Sequence, residues 1–140
     1  TKAALSEGIV AGGGVTLVNL SSNIKADGAD SVSAGRQILK NALKQPFLQI
    51  TKNAGLNSEA LLAQVEASKP GFGVNVMKPE QGVVDVRKDG VIDPVKVTKE
   101  AVQNAVSIAS TAATMGALVV DIPEVEAPMG GGMPGGMGMM

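Results

Sequence analysis

The sequence has no cysteine, histidine, tryptophan or tyrosine, and its only aromatic residues are Phe47 and Phe72. Without cysteine there is no disulfide framework and no thiolate nucleophile. Without histidine there is no imidazole base and no imidazole-ligated metal, so a zinc site is excluded. A cysteine-free chain suits a reducing compartment, and the expectation is a cytoplasmic protein. The scarcity of aromatics removes the stacking platforms that single-stranded nucleic acids need. Twelve basic and thirteen acidic residues give a net charge of -1, with no run of one sign that would track a phosphate backbone. Nucleic-acid binding is therefore set aside. Acid–base catalysis would fall to isolated carboxylates, none paired by spacing, which makes an independent small enzyme a poor reading.

A membrane span is also excluded. Residues 101–120 carry no charge, but Gln103, Asn104, Ser107, Ser110, Thr111 and Thr114 would each need a partner in lipid, and Gly116 splits the run. The stretch reads instead as a buried Ala-rich helix followed by a strand over 117–122. No secretory signal opens the chain.

What is present is small and aliphatic. Hydrophobic residues make up 44% of the 140, so a single core of Ala, Val, Leu, Ile and Met is expected. The opening TKAALSEG reads as the last turns of a helix stopped at Gly8, its start lying further upstream. After Gly12-Gly13-Gly14 a short helix is predicted from Val15 to Asn23, with too many apolar positions for one narrow stripe and hence well buried. Asp30 can cap the next helix, which Pro46 interrupts. Phe47, Leu48 and Ile50 continue on a further helix stopped at Asn53-Ala54-Gly55, and Asn57 or Ser58 caps another that ends at Pro70-Gly71. Residues 72–92 predict a small sheet or hairpin from the alternation of Phe72, Val74 and Val76 and the pairs Val83-Val84 and Val91-Ile92. Asp93-Pro94 predicts a helix start with Pro at N1, followed by about five turns. The fold is thus expected to be mainly α, with one domain over 1–123 and a Gly/Met-rich tail over 124–140 that lacks periodicity. The tail methionines could attract a soft metal, but the intervening glycines fix no geometry, and no metal site is assigned.

Three positions could meet a ligand. The Gly12–Gly14 turn could bring backbone close to a nucleotide, although it lacks the Lys and Ser/Thr of a P-loop; a plain helix–helix connection is the alternative that local sequence favours. The Asn75 amide could read a base edge or only stabilise its own turn. The Asp93 carboxylate could accept from sugar hydroxyls or only cap the following helix.

Together, EGIVAGGGVTLV at 7–18, DGVIDPVKVT at 89–98 and the closing MGGGMPGGMGMM resemble the C-terminal part of the bacterial and mitochondrial 60-kDa chaperonins, the group I type. The resemblance runs over nearly all of the chain. It implies half of a helical equatorial domain that binds ATP or ADP and assembles with identical subunits into a heptameric double ring, with the final strand pairing with an adjoining subunit. It implies that Gly13 approaches the ribose, that Asn75, Val76 and Met77 line the adenine pocket, and that Asp93 binds ribose hydroxyls. None of these is catalytic. The family's magnesium and water-positioning residues, and the apical domain that meets co-chaperonin and unfolded clients, belong upstream, so these residues alone are expected to have no ATPase activity. The implied location is the cytoplasm, or the mitochondrial matrix or plastid in a eukaryote. Val76-Met77 stands where the better-known bacterial pattern has two alanines, and VVDVRKDG replaces a less charged hairpin. The alternative is a non-catalytic helical assembly module.

Overall fold

The computed structural model describes residues 1–117 and 119. Helix α1 (Lys2–Glu7) ends at Gly8, whose N–H returns to the Ala4 carbonyl at 2.9 Å. The β-branched pair Ile9-Val10 then opens strand β1 (Ile9–Ala11), and the glycine turn leads into α2 (Val15–Ser22). Helices α3 (Ser31–Ala42), α4 (Gln45–Asn53) and α5 (Ser58–Glu66) follow where their local signals predict, except that α5 stops at Glu66, short of Pro70-Gly71. Asp30 caps α3 by accepting from the Ser33 N–H at 3.1 Å, and Asn57 caps α5 by accepting from Ala60 at 3.2 Å. Pro46 sits in the first turn of α4, where its missing N–H leaves no bond unmade.

Strands β2 (Phe72–Val74) and β3 (Val83–Asp85) form the expected antiparallel pair, in register Phe72 to Asp85 and Val74 to Val83. Val91-Ile92 does not join them. Strand β4 (Ile92–Pro94) pairs instead with β1, Val10 lying opposite Asp93. This pairing also overturns the predicted start of the last helix, α6 (Val95–Ala113). Pro94 is itself the N-cap residue, extended at ψ 131°, and Asp93 is held extended in the strand, where its carboxylate does not cap the helix. A residue before proline favours that extended conformation in any case.

The core is assembled from Ala11, Val15, Val18, Phe47, Leu62, Val65, Val74 and Val86. Phe47, only 1% exposed, is its largest side chain, as the near absence of aromatics requires. Thr51 and Ser21 are buried with their hydroxyls donating to the Phe47 and Val18 carbonyls, and among the described residues no buried side-chain polar atom lacks a partner.

Two burial expectations fail. Helix α2 buries Val15 and Val18 on one face, but Leu20 is half-exposed. Helix α6 buries no residue, because among the described residues it packs mainly on α1 and β4 along one side. Val97, Val106 and Ile108 remain exposed. No described helix is long and apolar enough to cross a membrane. Of the strand expected over 117–122 only Ala117 and Val119 are described, and neither is in a strand; the rest of it and the tail from 124 lie outside the described residues.

Candidate functional site

The glycine turn connects a strand to a helix rather than two helices, and it lies against the entry to β4. The Gly12 N–H donates to the Val91 carbonyl at 2.9 Å, and a Cβ at Gly12 would sit 3.0 Å from the Ile92 backbone. Gly13 and Gly14 have φ of 65° and 80°, the left-handed region that side chains disfavour. A Cβ at Gly13 would meet nothing closer than Val91 Cγ1 at 3.5 Å, whereas one at Gly14 would lie 2.7 Å from the Phe47 nitrogen. Gly13 is thus the open member of the triplet. It packs over Val91, two residues before Asp93.

Asp93 is half-buried, and among the described residues its carboxylate takes no hydrogen bond.

Asn75 immediately follows β2 and is 7% exposed. Its Oδ1 accepts from the Met77 N–H at 3.0 Å, and its Nδ2 donates to Asp89 Oδ2. Lys78 Nζ lies 3.4 Å from Asp89 Oδ1. Asp89 belongs to the turn between β3 and β4, closed by Asp89 and Gly90 N–H groups donating to the Asp85 and Arg87 carbonyls. The Asn75 hydrogen bond is the leading reason why the Asp89 carboxyl titrates below its ordinary value; partial burial opposes the shift and Lys78 reinforces it.

Gly13, Asn75 and Asp93, far apart in sequence, are linked through residues 89–93: Gly13 lies over Val91, two residues before Asp93, and Asn75 bonds to Asp89, two residues before Val91. Val76 is half-buried beside Asn75, while Met77 is 84% exposed. Asp89 and Lys78 were not singled out in the sequence, because Asp89-Gly90 reads only as a turn pair; their one signal is the charge of that segment. The polar groups joined through residues 89–93 are one carboxylate, one buried amide and an open backbone turn. A carboxylate can accept from hydroxyls and an amide can both donate and accept, and there is no cluster for a metal among the described residues.

Concavities lie elsewhere. A mixed cavity of about 380 Å³ is lined by Thr16, Asn19, Asp85 and Arg87 among others. An apolar groove of about 660 Å³ runs between α6 and the α2–α3 pair, with Leu17, Leu20, Leu39, Leu43, Val95 and Val102 on its walls. Neither is lined by any of the five residues singled out above.

A model of the TCP-1/cpn60 chaperonin family matches residues 1–123. The chain belongs to the chaperonin family. The solved structures agree on the fold: the open-state monomer of a group II chaperonin from Methanococcoides burtonii aligns with a TM-score of 0.68 at 23% identity. That match covers 76% of this chain and 28% of the chaperonin structure, so the present chain spans little more than a quarter of it. The helical arrangement, with its two small strand pairs, is that of the chaperonin equatorial domain.

Proposed function

We propose that this chain supplies the C-terminal part of the equatorial domain in an ATP-dependent protein-folding chaperonin of the group I type, contributing nucleotide contacts and subunit assembly. The observation that carries the reading is that residues 89–93 tie the three positions together, Asn75 bonding to Asp89 and Gly13 lying over Val91, while among the described residues the Asp93 carboxylate takes no hydrogen bond. In this role the Gly13 backbone lies against the ribose, Asp93 accepts from its hydroxyls, and Asn75 with Val76 and Met77 borders the adenine. Bound ATP supplies the driving free energy of the folding cycle. Magnesium and the hydrolytic water are held by residues outside these 140, and so are the surfaces for clients and co-chaperonin. The ring partner is a second copy of the same subunit, in a heptameric double ring, and the location is the cytoplasm or an organelle matrix.

The test is nucleotide binding by the protein as isolated from its source. Asp93→Ala and Asn75→Ala are expected to weaken ATP binding about tenfold each, the scale of one charge-assisted or buried hydrogen bond. Unchanged affinity in both variants refutes the nucleotide assignment. A second reading, a helical assembly module without nucleotide, is favoured by the bare α6 and the apolar groove beside it. Full ring assembly in variants that bind no ATP would support that reading.

A further inference from the structure

The Asn75 amide can be satisfied in only one way. The Met77 N–H can only donate, so it fixes the oxygen end of the amide; an ionised Asp89 can only accept, so it fixes the nitrogen end. Lys78 in turn steadies Asp89 from the other carboxylate oxygen. The amide retains one N–H and one lone pair, in an orientation set before any ligand arrives. Because Asn75 is 7% exposed, turning it over would leave a buried N–H facing the Met77 N–H and a buried carbonyl facing a carboxylate.

We propose that Asp89 is a positioning residue for base recognition: it locks the Asn75 amide so that one donor and one acceptor face a purine edge, while itself touching no nucleotide. This rests on the nucleotide reading above. Asp89 therefore governs selectivity between bases more than affinity for the ribose, which the Gly13 turn and Asp93 contact independently. A donor–acceptor pair locked in one order matches one purine edge and mismatches the edge with the order reversed. A freely turning amide matches both.

The experiment measures ATP and GTP dissociation constants by calorimetry on the full protein as isolated from its source, for wild type, Asp89→Ala, Asp89→Asn, Asn75→Ala and Asp93→Ala, with thermal unfolding recorded in the absence of nucleotide. The expected result is that Asp89→Ala lowers the ATP-to-GTP preference about five- to tenfold, the equivalent of one lost hydrogen-bond constraint. Asp89→Asn, which keeps an acceptor oxygen, recovers at least half of that loss on a logarithmic scale. An Asp89→Ala variant that weakens ATP and GTP equally, or that lowers only the unfolding temperature, overturns the inference while leaving the nucleotide reading standing, provided that Asn75→Ala and Asp93→Ala still impair ATP binding. If neither of those two variants impairs ATP binding, the nucleotide reading itself falls and the inference falls with it.

Discussion

An alanine scan of Gly12-Gly13-Gly14 separates two effects that glycine usually combines. At Gly12 the backbone does not need positive φ, but a Cβ would meet the Val91 and Ile92 backbone at 3.0–3.1 Å. Backbone cannot step aside as a side-chain tip can, so Gly12→Ala is expected to cost about 1–3 kcal/mol from overpacking. At Gly13 the reverse holds: φ is 65° and the space is open, so Gly13→Ala costs about 1–2 kcal/mol from the left-handed conformation alone. Part of that is offset by the smaller entropy of the unfolded alanine chain. Gly14 carries both demands, with φ at 80° and the Phe47 nitrogen and Cα at 2.7 and 2.9 Å from the added carbon. Gly14→Ala should therefore cost about 2–5 kcal/mol, a large share of the ~5–15 kcal/mol that holds a typical domain folded. Urea unfolding followed by circular dichroism reads the three midpoints. Gly55→Ala, at φ 74° with nothing near its Cβ, serves as the reference for the conformational effect without the clash. If Gly14→Ala proves no more damaging than Gly55→Ala, then the Gly14 turn does not lie tight against the Phe47 backbone, and this reasoning is refuted.

Other outcomes follow from the same geometry. Phe47→Ala should lose about 3–5 kcal/mol, read by the same unfolding assay, because the core has no second aromatic to close over the gap. Asp89 has a depressed folded-state carboxyl, so its stabilisation is fully present above the ordinary value of 3.8 and disappears as pH falls through the lower folded value. Unfolding measured down an acid series should therefore show a smaller acid loss in Asp89→Asn than in wild type. Removing the Lys99–Glu7 ion pair, 2.7 Å long but half-exposed on the lysine side, with Glu7→Gln should shift stability by less than about 1 kcal/mol, and still less in high salt. A phosphate-release assay on the 140-residue chain should find no ATP turnover above background; turnover that survives repurification and is lost in an Asn75→Ala, Asp93→Ala variant would contradict this.

The sequence made local chemistry legible and left distant pairing hidden. Asp30, Pro46, Asn57 and Gly55 announce helix ends because each acts on the few N–H and carbonyl groups beside it. Val91-Ile92 misled for the complementary reason. Its β-branched character says strand but cannot say which strand, and the partner is Ala11-Gly12, some 80 residues earlier in the chain. The same pairing turned Asp93 from an expected helix cap into a strand residue. The sequence also placed Asn75 in a turn without revealing that its amide is spoken for by Asp89, since the two are 14 residues apart with a strand between. The burial of α6 was misjudged because its Ala-rich part, residues 101–113, carries no charge and asks for cover that the described residues do not provide.

The β1–β4 ribbon has a kinetic consequence. It ties Ile9–Ala11 to Ile92–Pro94 by only three residues a side, across a loop whose closure entropy, for about 80 residues, is on the order of 4 kcal/mol. The cluster around Phe47 draws most of its members from a nearer span of the chain, from α2 to β3, and can condense first. The ribbon, with α1 and α6 hanging from it, then zips last and frays first. Amides of Ile9–Ala11 will therefore exchange with solvent through an opening smaller than global unfolding, so the edge carrying Asp93 can loosen while the body of the domain stays intact.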